Sequence, residues 1–342
     1  VLPESGGVVC WGAKDGGVWI EEYPDDIDAA PTPVVLAEEA VALALGFSHN
    51  CIIRRDGTVA CWGANDFGQL GNGKDGRRPG PQPVPGVEGA VHIAVGNADT
   101  CAVLRDQSLR CWGGNKSGQL TPSFPEKTTT PKPLDVGKVV STVLGISHSC
   151  ALLTNGKIKC WGENYYGQLG TGTSEPPKHP RPPAELQGIE GVRMMIENAA
   201  LLSDGSVAIW GEDHTGLKMT LDEVDGIVNR TPTRVPAFRG AIAIGGDMSG
   251  TCTLDGTGKL RCRGIGPLGD GKRRNSATPI EVQAGTQLLT LALNGQCVLD
   301  AQQQLVCWGL NKSQRFRAKG PWVLTPAAVA GVDVLTSGQA HP

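Results

Sequence analysis

Five pairs of cysteines, each ten positions apart, constrain this chain more than any other feature. They are Cys51/Cys61, Cys101/Cys111, Cys150/Cys160, Cys252/Cys262 and Cys297/Cys307. If residue i faces residue i+10 across an antiparallel hairpin, three residues remain for the loop. In the first copy those are Arg55-Asp56-Gly57, in another Thr154-Asn155-Gly156. A three-residue hairpin loop wants its last residue left-handed, and Gly takes that conformation without a steric cost. The two cysteines then stand opposite each other, at separations a disulfide spans. One further copy, Ala199 to Ile209 around Ser203-Asp204-Gly205, lacks both cysteines. Bonded partners are lost together, whereas unrelated thiols are lost singly. Zinc sites need cysteines two to four residues apart or His at a set offset, which this spacing does not provide. Disulfides are the expectation, with metal or free structural thiols as the alternatives, and they imply an oxidising compartment.

The remaining composition fits many short strands joined by tight turns. The 342 residues include 48 Gly and 24 Pro, and aromatics are only 5 %. An apolar content of 39 % is too high for a disordered chain. A net charge of −3 gives no reason to expect nucleic acid or an anionic membrane as the partner. No apolar run approaches the roughly 20 residues of a spanning helix. Nothing at Val1-Leu2-Pro3-Glu4 resembles a signal peptide, so a mature form is expected.

A repeat organises the whole length. Trp-Gly follows Cys10, Cys61, Cys111, Cys160, Ile209 and Cys307, and Arg263-Gly264 replaces it after Cys262. The steps between these seven anchors are 51, 50, 49, 49, 53 and 45 residues. The segment after Cys307 and the residues through Cys10 would supply one more step of 45 around a closed ring. Seven such units predict an all-β fold: one seven-bladed β-propeller of four-stranded blades over residues 1–342. An open solenoid is the alternative, and would want capping repeats. Gly338-Gln339-Ala340-His341 matches the segments Gly46-Phe47-Ser48-His49 and Gly145-Ile146-Ser147-His148 that precede hairpins. The last segment is therefore expected to pair with Val1-Leu2 and close the ring. The hairpin partner of Cys10 would then fall one place before Val1, leaving Cys10 free or bonded to a residue absent from this sequence.

Each Trp-Gly leads into a second repeated loop, such as Ala64-Asn65-Asp66-Phe67-Gly68-Gln69-Leu70-Gly71. Asn and Gly suit tight turns with positive φ, and the Leu is expected to tuck beneath. The composite Cys-Trp-Gly-x-Asn-x-x-Gly-Gln-Leu-Gly, with the upstream Gly-x-x-His and Asp-Gly turn, resembles the repeat of the regulator of chromosome condensation family. The match is strong over 46–73 and 145–172 and weaker around 196–216, 250–270 and 295–315. The resemblance implies a seven-bladed propeller and says little of function, since this scaffold hosts unrelated activities. The family's founder is a nucleotide exchange factor for a small nuclear GTPase and binds chromatin through basic surfaces. This chain lacks a basic tail, and paired cysteines do not suit the nucleus. A secreted bacterial member resembling this architecture inhibits β-lactamases through aromatic-rich loops. Other secreted members look like extracellular or cell-surface binding modules.

The loop tips after each Trp-Gly are the positions the scaffold leaves free. Phe67, Tyr165, Tyr166 and His214 are large side chains there, with Asp66 and Asp213 as polar neighbours. Aromatics at exposed tips are favoured interface anchors, set against the alternative that they pack on adjoining loops. His49, His148 and His341 share one repeat slot with Asp99 and Glu197. A ring of such residues could hold a metal, but a recurring slot reads as structure where blades meet. The recurring Trp residues read as blade packing, and Lys74 to Arg78 and Lys272 to Arg274 as solvated loops. The acidic stretch from Glu21 to Asp28 lacks the spacing of a calcium loop. The sequons at Asn115, Asn229 and Asn311 read as incidental, since two of those Asn belong to the repeat's own turn. No nucleophile elbow, zinc-protease helix or phosphate loop occurs.

The sequence therefore predicts a non-enzymatic module without cofactor or metal, secreted, periplasmic or on the cell surface, that binds a protein partner through its loop tips. The alternatives are an enzyme inhibitor, an adhesion or structural component, a glycan binder and, last, an exchange factor.

Overall fold

In a computed structural model of the chain, the described residues are 8–10, 32–34, 40–174, 180–213, 227–247, 250–282, 288–292, 295–300, 302, 304–310 and 322–328. Strands β1 (Val8–Cys10) and β2 (Thr32–Val34) pair as a two-stranded sheet. Six four-stranded antiparallel blades follow. Blade 1 is β3 (Ala40–Leu45), β4 (His49–Arg54), β5 (Val59–Gly63) and β6 (Arg78–Pro83). Blade 2 is β7 (Ala90–Val95), β8 (Asp99–Leu104), β9 (Leu109–Gly114) and β10 (Lys127–Leu134). Blade 3 is β11 (Val139–Leu144), β12 (His148–Leu153), β13 (Ile158–Gly162) and β14 (Arg181–Glu185). Blade 4 is β15 (Val192–Ile196), β16 (Ala199–Leu202), β17 (Val207–Asp213) and β18 (Ile227–Arg234). Blade 5 is β19 (Ala241–Asp247), β20 (Gly250–Asp255), β21 (Leu260–Gly264) and β22 (Ser276–Glu281). Blade 6 is β23 (Leu288–Ala292), β24 (Gly295–Leu299), β25 (Leu305–Leu310) and β26 (Trp322–Ala328).

The expectation of seven blades is thus corrected to six. The seven anchors count third strands, and a blade needs four. Around the first anchor, β1 and β2 are the only strands paired among the described residues. The predicted pairing of Gly338–His341 with Val1-Leu2 lies outside the described residues. Two compact units contain the blades: one holds β1, β2 and blades 1–3, the other blades 4–6. Among the described residues no helix is long and apolar enough to cross a membrane.

The hairpins form as their sequence dictates. Arg54 N donates to Thr58 O, which leaves Arg55-Asp56-Gly57 as the loop, with Gly57 at φ 84°. Asp56 closes the turn by accepting from the amide and hydroxyl of Thr58. Cys51 stands opposite Cys61, and the four other pairs repeat that register. All five disulfides form, each with Cα atoms 4.1 Å apart. Nine of the ten sulfur-bearing residues are fully buried, and Cys297 is half-buried. In the copy without cysteines, Ala199 faces Ile209 in the same register.

Central strands are buried on both faces because consecutive blades pack against each other. In the first unit Cys51, Ile53, Cys61 and Leu70 of blade 1 meet Ala90, Ile93, Ala102 and Trp112 of blade 2. Cys101, Val103 and Leu109 meet Ala151, Leu153 and Trp161 of blade 3 in the same way. In the second unit Ala199, Leu201 and Val207 pack on Phe238, Ala241 and Ile244. Trp112 and Trp161 lie in the first two of these cores, Trp62, Trp210 and Trp308 are buried as well, and each contributes on the order of 4 kcal/mol by the area rule.

Within each blade, the turn between strands one and two and the long loop between strands three and four lie at the same end of the sheet. The hairpin between strands two and three lies at the other end. The first strands of blades 1–5 each carry a bulge at their second residue, Val41, Val91, Val140, Arg193 and Ile242. A bulge turns a side chain out of the ladder, and all five are exposed.

Candidate interaction surface at the blade loops

Each long loop is folded around its Asn and Gln. Asn65 Oδ1 accepts from Leu70 N at 3.0 Å, and its Nδ2 donates to Lys74 O at 2.7 Å. Gln69 Oε1 accepts from Phe67 N at 2.9 Å. Asn115 and Gln119 repeat these contacts on Leu120 and Ser117, and Gln168 repeats the second on Tyr166. The Leu residues are fully buried beneath, as expected. Asn115 Nδ2 is 5 % exposed as a residue and donates to three carbonyls, those of Thr121, Phe124 and Pro125. Its sequon is therefore closed to modification. Asn229 lies in β18 and Asn311 outside the described residues.

The same loops latch consecutive elements. Trp112 Nε1 donates to Gln69 O at 2.9 Å, Trp161 Nε1 to Gln119 O at 2.7 Å and Trp210 Nε1 to Gln168 O at 3.0 Å. Thr100 and Ser149 hydroxyls donate to the first two carbonyls as well. A Cβ on Gly71 would stand 2.6 Å from Trp112 Nε1, so only Gly permits this approach. In the second unit the loop after Arg263-Gly264 is shortened to Ile265-Gly266-Pro267-Leu268-Gly269, and Trp308 Nε1 is buried with no acceptor.

The tip residues stay at the surface on this rigid base. Phe67, Tyr165 and Tyr166 are exposed, at 37 %, 47 % and 42 %. Phe67 leans on the neighbouring blade: its Cβ lies 3.2 Å from where a Gly114 Cβ would be, and the Lys116 ammonium stands 5.4 Å from its ring centroid. The alternative of packing on an adjoining loop is thus partly realised for Phe67. Asp66 is exposed, and its carbonyl accepts from Lys127 Nζ at 3.0 Å. Asp213 ends β17, and His214 lies outside the described residues.

Sequence reasoning missed the inner part of this surface. Leu45, Phe47 and Ile146 are 53 %, 66 % and 52 % exposed, at the turns between first and second strands of blades 1 and 3. These turns are tied to the tip loops, since Ala64 N donates to Ser48 O and Glu163 N to Ser147 O. Asn97 takes the same slot in blade 2, which lies between them. Bulky apolar residues at a turn position that holds Asn in blade 2 were the signal available in the sequence.

In blades 1–3 the recurring slot that begins the second strand is buried, and Glu197 in blade 4 is half-buried. His49 Nε2 meets Thr100 Oγ1 of blade 2 at 2.8 Å, so it bonds a side chain across the blade boundary. Asp99 is fully buried, and His148 is 4 % exposed. His341 lies outside the described residues, and no metal-type cluster occurs among the described ones. Of the basic clusters, Arg274 pairs with Asp270 at 3.1 Å and Arg273 stacks 4.4 Å over Trp322. The acidic stretch 21–28 lies outside the described residues. A groove of about 660 Å³ lined by Pro122, Phe124, Pro133, Leu134, Pro182 and Pro183 brings together no titratable side chains beyond Asp135.

Models of the regulator of chromosome condensation (RCC1) repeat match residues 40–69, 90–119 and 139–168, and a second such model matches 56–103 and 155–197. No curated protein matches the sequence. Among solved structures, human WBSCR16 is similar at 19 % identity with a TM-score of 0.78, covering 94 % of each chain. Yeast RCC1 (Prp20), from its complex with Kap60, is similar at 19 % identity and a TM-score of 0.75, over 94 % of this chain and 83 % of its own. Prp20p of Saccharomyces cerevisiae, described with its binding to Gsp1p and histones, gives 18 % and 0.76, over 94 % and 85 %. At these identities the likeness shows the fold. The chain carries regulator of chromosome condensation repeats on a β-propeller scaffold of six four-stranded blades braced by five hairpin disulfides.

Proposed function

We propose that this chain is a binding module for a protein partner, which docks on the loop end of the blades. The observation that carries the reading is the set of exposed apolar side chains at that end of the first unit: Leu45, Phe47, Phe67, Ile146 and Tyr165. Tyr166 follows Tyr165 in the chain, and Asp66 is the polar neighbour of Phe67. Soluble proteins seldom present large aromatics on a rigid base without a use, and such residues dominate binding energy when a partner covers them. The loops are preorganised by their Asn and Gln bonds, which lowers the ordering cost of association. That the yeast relative is described with binding to Gsp1p and histones supports protein docking on this scaffold. The buried disulfides support an extracellular, periplasmic or cell-surface setting. No constellation on the described surface favours catalysis, and the glycan and adhesion readings lack an observation of their own.

The test is affinity capture from the native surroundings with three baits: the unaltered chain, a Phe47→Ser/Phe67→Ala/Tyr165→Ala chain, and a Val91→Ser chain altered at the other end of a blade. A protein held by the first and third baits and lost by the second is the expected result. Equal retention by all three refutes docking at the loop end.

A further inference from the structure

Resting on that docking surface, one buried acid points to its regulation. His49 and Asp99 occupy the same slot of consecutive blades, opposite Gly63 and Gly113. Thr100 Oγ1 donates to Gln69 O at 2.9 Å, so it can only accept from His49 Nε2, at 2.8 Å. His49 is therefore the Nε2–H tautomer, and burial holds its pKa down to about 3. At the next boundary Ser149, the counterpart of Thr100, likewise donates its hydroxyl to Gln119 O at 2.7 Å. Asp99 fills that slot, fully buried, and neither carboxyl oxygen has a hydrogen-bond partner. A buried carboxylate without donors around it is costly, while the neutral acid is far less so. We propose that Asp99 carries a proton in place of the seam histidine, and that losing it displaces the blade 2 turn standing between Phe47 and Ile146, so that docking weakens in mild alkali.

The contacts supply the connection. A Cβ on Gly96 would lie 2.6 Å from Asp99 Oδ1 and 3.0 Å from Leu144 Cβ, the side chain two places before Ile146. A Cβ on Gly46, next to Phe47, would lie 2.9 Å from Gly96 O. Ser48 Oγ donates to Asn97 O at 3.4 Å. Gly96 is thus wedged between the Asp99 carboxyl and the turns that present Phe47 and Ile146. An ionised Asp99 demands water or new donors, and Gly96 is packed directly against its carboxyl. Burial raises the pKa of Asp99 to about 8, outweighing the pull of the nearby Ala98 and Asp99 amides, which stand outside hydrogen-bond geometry. No charged side chain from its own turn, from blade 1 or from blade 3 adds to that balance.

The sign follows from linkage. An acid whose folded pKa lies above its ordinary 3.8 contributes its stability at low pH and loses it as pH climbs toward about 8. The test is NMR on the full chain, following the Asp99 carboxyl carbon and the Ile146 δ1 methyl from pH 5 to 9. Both signals are expected to titrate together near pH 8, and Asp99→Asn is expected to abolish the methyl step. A carboxyl that titrates near 4, or a methyl step unchanged by Asp99→Asn, overturns the inference. Should Phe47→Ser and Ile146→Ser leave partner capture intact while the methyl still titrates, the docking reading falls and the proton device stands.

Discussion

The two compact units are built from one repeat, yet they treat it differently. Blades 1–3 each keep the disulfide, the Trp and a complete Asn–Gln loop. In the second unit each blade departs from that pattern. Blade 4 has Ala199 and Ile209 where the others have cysteines. Blade 5 has Arg263 for Trp and a shortened loop, and blade 6 keeps Trp308 with no acceptor for its Nε1. Hydrophobic packing persists in both units, so the losses fall on directional bonds. The blade therefore rests first on strand register and apolar burial, with the bridge and the latch as separable additions.

The largest expected effect comes from restoring the missing bridge. Ala199→Cys/Ile209→Cys places two thiols in the register that holds five disulfides elsewhere. The oxidised double variant is expected to gain about 2–3 kcal/mol in denaturant unfolding by the chain-entropy model. No gain over the reduced form would mean that blade 4 differs from its neighbours in more than two side chains.

The latch is next. Trp112→Phe removes a donor to a buried carbonyl, whereas Trp308→Phe removes one that has no acceptor. Both lose ring area, so the difference isolates the hydrogen bond. Trp112→Phe is expected to cost about 1–2 kcal/mol more than Trp308→Phe. Equal losses would remove the distinction between latched and unlatched tryptophans.

A smaller effect lies within the first unit. Gln107 occupies the loop position where blades 1 and 3 have Gly57 and Gly156, and it is held at φ 68°. Gln107→Gly relieves a left-handed side chain at some cost in unfolded-state entropy, for an expected gain of up to about 1 kcal/mol. A loss on thermal unfolding would show that Gln107 compensates through contacts of its own.

What the sequence disclosed follows the physics of each feature. Ten-residue spacing around an Asp-Gly turn defines a register, and register places every cysteine, so the hairpins were legible in full. The blade number was not, because the Trp-Gly anchor marks one strand and says nothing of its three partners. The exposure of Phe67, Tyr165 and Tyr166 was legible because they interrupt a small, polar loop consensus. Phe47 and Ile146 were not, because the Gly-x-x-His frame around them looked like scaffold. Only the packing of turn against turn reveals that this x position faces outward. The His49 slot was readable as structural, but its bond to the Thr100 hydroxyl needed the next blade in place.

The latch described here has its acceptor on the main chain. Substituting Gln69 or Gln119 would alter the loop's inner bond but leave the carbonyl that receives the indole. Point mutation therefore has little purchase on this contact from the acceptor side, and a change of loop length removes it at once, as residues 265–269 illustrate. In a lineage built from such repeats, insertions and deletions rather than substitutions would set which boundaries are firm and which can loosen.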